Sequence, residues 1–286
     1  MKIGFVGQGF VGKNIANDIE SRGYTVVRYA LEPEYIGNRE SLVQCEIVFI
    51  AVPTPTTPHG FNFSIVEESL TFLTSGTIAV IKSTLLPGTT RTLQERFPHL
   101  IILFSPEFLC ETTAAHDAAN PIMNVLGVFS NSTDHRTAAE TVMCILPKSA
   151  NAFIVSTEAA ELFKYVHNIH GFMRVVFSNL CYDLGGMFNV MWEQVEQIMN
   201  VDPMMSSYYN SPLHKSGRGA GGHCFIKDMA AFSRLYAEQY PEDQKGIAVF
   251  RSMELKNLEL LSLTGKSQDL VQDVYGDITK KNSFTD

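Results

Sequence analysis

Residues 7–12 read Gly7-Gln8-Gly9-Phe10-Val11-Gly12, directly after an apolar run at residues 3–6 and before a helical pattern that closes near Arg22-Gly23. Three glycines at that spacing constrain the chain strongly. The first supplies a tight turn, the second lets backbone approach an anionic ligand, and the third lets the helix pack closely on the strand. A glycine turn that binds nothing could carry the same hexapeptide. Its position between a strand and a helix, at the very front of the chain, favours a cradle for a pyrophosphate.

The chain beyond Gly23 keeps the same rhythm. Short apolar runs at residues 25–29, 47–52, 78–81, 100–104 and 152–155, with a weaker one at 125–129, alternate with helical patterns at 66–74, 89–97 and 135–144. Runs without polar alternation are strands buried on both faces, and strands alternating with helices build a parallel sheet. The expected fold class is α/β: a doubly wound Rossmann-type parallel sheet over residues 1–156, then a smaller all-helical domain at 157–263, then a polar, non-periodic tail at 264–286. The second domain is built on one long helix. Residues 157–184 contain no proline and one internal glycine, Gly171. Thr157 suits the N-cap, Glu158 and Glu161 suit the positive end, and Gly185-Gly186 stops a helix about 40 Å long. Further helices are expected at 191–200, 228–240 and 244–263.

A formal net charge of -8 excludes a general nucleic-acid binder, because neutralising phosphates needs surplus Lys and Arg. The five cysteines are widely spaced with no CxxC, which suits reduced thiols in a cytoplasm. Cys45, Cys144 and Cys181 lie in apolar stretches and read as core thiols, whereas Cys110 reads as edging a site. The eight histidines are scattered and make no metal set, so no metal is expected. No apolar run nears the ~20 residues of a membrane helix, and Met1-Lys2 runs straight into the first strand without a signal peptide. The expectation is a cytoplasmic protein with neither nucleic-acid nor membrane partners.

A dinucleotide site of this kind usually ends its second strand in an acid that holds the adenosine ribose. Here that place is Ala30, and Glu32 stands two residues on. Arg28 suggests a 2′-phosphate, although inside a strand such a residue more often points to solvent. NAD is therefore preferred, with NADP left open.

The second informative segment is Gly217-Arg218-Gly219-Ala220-Gly221-Gly222-His223-Cys224-Phe225-Ile226-Lys227-Asp228. Four glycines in six positions let the backbone turn tightly and approach a ligand, and the thiol after them has a cation and a carboxylate three and four residues beyond it. A core cysteine needs none of this, whereas a nucleophile needs access and charged neighbours. Glu161, Lys164 and Asn168 share one face of the long helix. Taken alone they read as a solvated stripe; beside a nucleophile they read as groups that polarise an oxygen and hold a charged intermediate.

Read together, the words of this chain resemble the UDP-glucose/GDP-mannose dehydrogenase family. They are the front glycine loop, Val52-Pro53-Thr54-Pro55-Thr56, Lys82-Ser83-Thr84 with Pro87-Gly88-Thr89, Ser105-Pro106-Glu107-Phe108-Leu109, Asn120-Pro121, Glu161-Leu162-Phe163-Lys164-Tyr165 with Asn168, and Gly221-Gly222 through Cys224 to Lys227-Asp228. The resemblance implies NAD-dependent, four-electron oxidation of a nucleotide-sugar primary alcohol to a carboxylate, with an aldehyde captured by cysteine. It implies Cys224 as nucleophile, Lys164 stabilising the oxyanion with help from Asn168, and Asp228 with Thr84 positioning or activating water. Glu107 would do acid–base or water-positioning work. Gly7, Gly9, Phe10, Val11, Gly12, Glu32, Pro53, Thr54, Thr84, Glu111 and Lys227 would line the cofactor, with Glu111 against the nicotinamide. Substrate candidates are Phe108, Leu109, Lys164, Asn168, Lys215, Arg218 and Gly221, although packing is the plainer role for Phe108 and Leu109. A homodimer joined along the long helix is also implied.

The chain departs from that family in several places. It reads as a short form lacking the C-terminal nucleotide-binding domain, and the segment at 31–44 is compressed. Met123 stands where relatives carry an Arg, and 202–205 lack an Arg that Lys215 or Arg218 would have to replace. Those losses fall on substrate recognition. They leave open a smaller substrate, a pocket borrowed from a dimer partner, or weak nucleotide-sugar binding. Two competing readings are a two-electron β-hydroxyacid-type dehydrogenase, which needs no cysteine, and a catalytically weak NAD-binding remnant.

Overall fold

The computed structural model describes residues 1–205, 207–215 and 217–277. They divide into two compact units, Met1–Thr54 with Asn62–Lys164, and Pro55–Phe61 with the chain from Tyr165 onward.

The first unit begins with β1 (Lys2–Val6), α1 (Phe10–Ser21), β2 (Thr25–Tyr29), a 3-10 segment at Ile36–Gln44 and β3 (Ile47–Ile50). A small hairpin, β4 (Thr56–Thr57) with β5 (Gly60–Phe61), then belongs to the second unit. The first resumes with α2 (Ser64–Leu70), β6 (Ile78–Ile81), α3 (Thr89–Arg96), β7 (Ile101–Phe104), α4 (Ala114–Ala119), β8 (Met123–Val128), α5 (Thr133–Ile145) and β9 (Asn151–Ser156). The seven sheet strands lie in the order β2-β1-β3-β6-β7-β8-β9. All pairs are parallel except β7 with β8. Every residue of β3 is buried, and Phe5 stacks on Phe49 at 4.9 Å in the core between strand and helix layers. The weak run expected at 125–129 is thus a full strand running against β7. Hydrophobic pattern registers burial but not direction, so the reversal was invisible in sequence.

Strand order reverses about β1 and β3. In open α/β sheets that reversal opens a crevice at the strands' carboxyl ends, between the loops after β1 and β3. The two loops meet closely: a Cβ on Gly7 would sit 2.2 Å from the Ala51 carbonyl oxygen.

The long helix, α6 (Thr157–Met187, 31 residues), is about 46 Å in length. It runs through Gly185-Gly186 instead of stopping there. Asn189, in the left-handed region at φ 55°, makes the turn, while Phe188 and Val190 donate their N–H groups to Gly185 O. Glu161 on this helix is fully buried. It accepts from the Gly88 and Thr90 N–H groups, each at 2.7 Å, and from the Thr90 hydroxyl at 2.6 Å. Helix α3 has Gly88 at its N-cap and no side-chain cap of its own, so Glu161 supplies one from a distance. Burial pushes the carboxyl up to about 7 against the pull of these donors.

The second unit continues with α7 (Trp192–Val201), the hairpin β10 (Leu213–His214) with β11 (Gly217–Arg218), α8 (His223–Gln239), α9 (Gln244–Thr264) and α10 (Gln268–Tyr275). Helix α8 begins five residues before the expected start, because a glycine-rich run reads as loop up to its last residue. Helix α10 falls where no periodicity was expected. Its buried Val271 and Val274 pack on Ile226, Ala230 and Leu261, and one helix of eight residues gives too short a window for a period to stand out. The remainder of the expected tail, 278–286, lies outside the described residues. Cys45 is buried as expected, but Cys144 is exposed on α5 and Cys181 is half-buried. No described helix is long and apolar enough to cross a membrane.

Replacing Glu161 by Gln puts an NH₂ where one of two backbone N–H groups now donates. Glu161→Gln should lower unfolding free energy by about 1–3 kcal/mol, read from urea midpoints.

Candidate active site

The glycine loop has the shape its spacing demanded. Gly7 takes φ 92°, and a Cβ on Gly12 would lie 2.0 Å from the Gly7 carbonyl oxygen. Gly9 differs: it caps α1, no side chain covers that cap, and nothing lies within 4 Å of where its Cβ would be. The exposed N-terminus of a 12-residue helix with open space over its cap glycine fits a dinucleotide pyrophosphate. Beside it, Phe10 is exposed and Val11 half-buried.

Arg28 does not point to solvent as a strand arginine was expected to. Its guanidinium pairs with Glu20 at 2.7 Å and donates to Gln8 Oε1 at 3.2 Å, with 14% of the side chain exposed. Its charge is therefore matched within the fold. Ala30 is buried and Glu32 exposed, the Glu32 carbonyl accepting the Tyr35 and Ile36 N–H groups that start the 3-10 segment. After β3, Pro53 is exposed and Thr54 buried, the Thr54 hydroxyl donating to Thr84 O at 2.8 Å. Thr84 is half-buried and Glu111 exposed.

Two lysines and a carboxylate meet in the interior of this unit. Lys164 Nζ, 3% exposed as a residue, donates to Glu107 O at 2.6 Å and to Glu107 Oε1 at 3.1 Å, and lies 5.3 Å from the Phe108 ring centre. Lys82 Nζ donates to Ser105 Oγ at 3.0 Å and Pro106 O at 3.3 Å. Burial opposes ionisation of Glu107, but Lys164, the Leu109 N–H and Lys82 outweigh it and hold the carboxyl below its usual range. Burial pushes Lys82 down to about 8, with Glu107 pulling it back up and Lys164 adding to the fall. In sequence Lys82 stands out only as part of Lys82-Ser83-Thr84. A lysine at the carboxyl end of a fully apolar strand was the signal that it is buried and therefore needs partners. Leu109 packs against the core, and Phe108 stands edge-on to Phe163 at 5.7 Å.

In the second unit, Cys224 is the second residue of α8 and is exposed. Helix α8 is capped by Gly222 at φ 84° with no side-chain cap, and the N-terminus of a helix favours negative charge. Asp228, 1% exposed, accepts from Asn168 Nδ2 at 2.6 Å and from Lys227 Nζ at 2.5 Å. Helix α6 thus turns Lys164 and Asn168 inward one turn apart, as buried members of ionic networks and not as a solvated stripe. Lys215 is exposed at φ 54°. Arg218 is committed elsewhere, to Asp183 at 2.7 Å and Asn179 Oδ1 at 2.8 Å, with its guanidinium over Tyr182. The side of Gly221 where a Cβ would stand meets Lys266 and Ser267.

Residues 35–143 match the NAD binding domain of the UDP-glucose/GDP-mannose dehydrogenase family, and residues 158–253 match its central domain. The chain belongs to this family. Lys82 and Glu107 fall in the first match, Lys164, Asn168, Cys224 and Asp228 in the second. A UDP-glucose 6-dehydrogenase of Campylobacter jejuni is 28% identical over 71% of this chain and 50% of that protein. One of Haloferax volcanii is 25% identical over 81% of this chain and 64% of that protein, and one of Streptococcus pneumoniae 27% identical over 99% and 80%. The chain therefore spans half to two thirds of the length of the first two. Among solved structures, a UDP-glucose dehydrogenase from Pyrobaculum islandicum superposes with a TM-score of 0.77 at 22% identity, covering 90% of this chain and 68% of that one. A GDP-mannose dehydrogenase from Pseudomonas aeruginosa gives 0.64 at 21%, covering 92% and 69%. These likenesses carry the fold. The family's NAD-binding domain agrees with the open glycine cradle and with an Arg28 whose charge is already neutralised.

Charging Lys82 inside the protein is costly, and its pKa is lowered, so its contribution to stability is full above its unfolded value and is lost as pH falls through about 8. Relative to Lys82→Met, the natural protein should therefore gain about 2 kcal/mol of unfolding free energy between about pH 7.5 and about pH 9.5, measured by denaturant titration.

Proposed function

We propose that this protein is an NAD-dependent nucleotide-sugar 6-dehydrogenase that oxidises the C6 alcohol of a UDP-glucose-like substrate to the uronate, with Cys224 as nucleophile. The observation that carries the reading is an exposed thiol at an uncapped helix N-terminus, four residues before a buried Asp228 that Asn168 and Lys227 hold. A cysteine serving only the core would be buried in apolar surroundings.

Bound NAD supplies the hydride acceptor, twice per turnover. The primary alcohol gives up a hydride and a proton to become the aldehyde. The Cys224 thiolate adds to the aldehyde carbon, and the resulting alkoxide takes a proton to form a thiohemiacetal. Loss of the second hydride and the hydroxyl proton leaves a thioester, and water hydrolyses it to the carboxylate while sulfur departs as thiolate. Over the full cycle the alcohol, two NAD⁺ and one water give the carboxylate, two NADH and three protons. Lys164, a cation fixed on a rigid helix by Glu107, holds the negative oxygen of each tetrahedral species, and Asn168, about one turn further along the same helix, assists it. Asp228 and Thr84 orient the water, and Glu107 exchanges protons with it. Glu32, Pro53, Thr54 and Glu111 line the cofactor. The protein works in the cytoplasm, where its cysteines stay reduced.

We also propose a homodimer formed along α6. Val166, Phe177, Leu180, Leu184 and Met187 are all exposed on this helix; the last four follow one another at three- and four-residue spacings, and Val166 stands about three helical turns before Phe177, so the five share one apolar stripe.

Cys224→Ala should lower acid formation by about 10³-fold or more, followed by nicotinamide absorbance and by mass spectrometry of a panel of UDP- and GDP-sugars. Undiminished acid formation in that variant would exclude Cys224 as nucleophile, and one hydride per turnover in the natural protein, left intact by Cys224→Ala, would favour two-electron chemistry. Phe177→Glu with Leu184→Asp should convert the sedimenting species to monomer.

A further inference from the structure

The four glycines before Cys224 were expected to make room for a ligand. Three of them instead make room for the protein itself. A Cβ on Gly217 would lie 2.3 Å from Thr264 Oγ1, one on Gly219 3.0 Å from Asn257 Oδ1, and one on Gly221 2.7 Å from Ser267 Oγ and 2.8 Å from Lys266 Cε. Only Gly222 faces open space, with nothing within 4 Å.

The groups crowding this loop also bond to it, almost residue by residue. Thr264 Oγ1 accepts the Arg218 N–H at 3.2 Å. Asn257, 2% exposed, clamps Ala220 from both sides: its Oδ1 accepts the Ala220 N–H at 2.6 Å and its Nδ2 donates to Ala220 O at 3.0 Å. Ser267 Oγ accepts the Gly222 N–H at 3.3 Å. Lys266 contributes most. It is 8% exposed, and its ammonium donates to Gly219 O at 2.8 Å and Gly217 O at 3.3 Å. Burial lowers its pKa, with Lys215 adding to the fall, a cost met only because two carbonyls of the loop converge on it. Beyond the loop, Phe225, next to Cys224, lies against Tyr209 with ring centres 5.3 Å apart, and it meets α6 at Gly171, where a Cβ would lie 3.0 Å from its ring.

We propose that the corner between α9 and α10 is a template that holds the cysteine loop in its reactive turn, with Lys266 as the positioning residue and Asn257, Thr264 and Ser267 as its partners. All four lie after residue 253, where the match to the family's central domain ends. The template acts through Gly222. A fixed Gly222 starts α8 abruptly, so the first turn of the helix, and the field of its N-terminus, is set against the thiol at Cys224. A loosened loop lets that turn fray and removes the field. The proposal rests on the reading of Cys224 as nucleophile for its purpose in catalysis, but it is tested on the thiol itself.

The test is iodoacetamide labelling of the full chain, resolved by peptide mass spectrometry, for the natural protein, Lys266→Met and the milder Ser267→Ala. Cys110, exposed in the other unit, is the internal reference. At about pH 7.5, labelling of Cys224 relative to Cys110 should fall about tenfold in Lys266→Met and about threefold in Ser267→Ala, converging with the natural rate near pH 10, where any thiol ionises. Circular dichroism and melting report folding. If Lys266→Met fails to fold, Ser267→Ala decides alone. An unchanged ratio in a folded variant, or a rise at both pH values as for a merely more exposed thiol, overturns the proposal. Acid formation surviving Cys224→Ala would remove the nucleophile while leaving the labelling result to stand or fall separately.

Discussion

Burying charge is the constraint on which this structure depends. Helix α6 turns Glu161, Lys164 and Asn168 inward, and none of the three can stay there without partners. Glu161 takes the three donors at the start of α3, Lys164 takes Glu107, and Asn168 takes Asp228. Each pairing allows little latitude in how α6 lies against the element it meets, because a buried charge, Glu161, Lys164 or Asp228, loses most of its compensation when its partner is displaced. A leucine stripe at the same positions would have held the helix with no such precision. The groups proposed for chemistry are therefore also groups that hold the helix.

Glycine does two different things in the two loops proposed for function. At Gly7 and Gly12 its lack of a side chain lets strand, loop and helix approach one another, leaving Gly9 open for a ligand. Before Cys224 the proportions are reversed: Gly217, Gly219 and Gly221 admit the α9–α10 corner and only Gly222 is open. The same residue type thus marks a ligand cradle in one place and an internal clamp in the other. The second use is costly in backbone entropy, and that cost is offset by the loop N–H groups donating to Asn257, Thr264 and Ser267 and by Lys266 donating to a loop carbonyl.

Much of the fold was legible because it follows from burial pattern alone. Strands at Thr25–Tyr29 and Ile78–Ile81 stand where their apolar runs predicted, and the glycine spacing at residues 7–12 anticipated both the turn and the close packing. What escaped depends on partners distant in sequence. Arg28 looked like a solvent-facing strand residue until Glu20 and Gln8 were brought beside it. Lys82 looked like one letter of a motif until Ser105 and Glu107 surrounded it. Cys144 looked like a core thiol because its neighbours are apolar, yet it takes the outward position of α5. Helix α10 docks its two valines on α8 and α9, a contact that no local pattern announces.

The sequence by itself determined the alternation of sheet strands with α1, α3 and α5, the turn at the front of the chain, the continuity of α6 and the residue types available for chemistry, since these are properties of neighbours along one chain. The direction of β8, the partners of Arg28, Lys82 and Glu161, and the clamp on the cysteine loop were decided by tertiary structure alone. Charge and hydrogen-bond compensation is a property of what lies within about 3 Å in space, and residues 161 and 90, or 266 and 219, carry no local mark of their pairing.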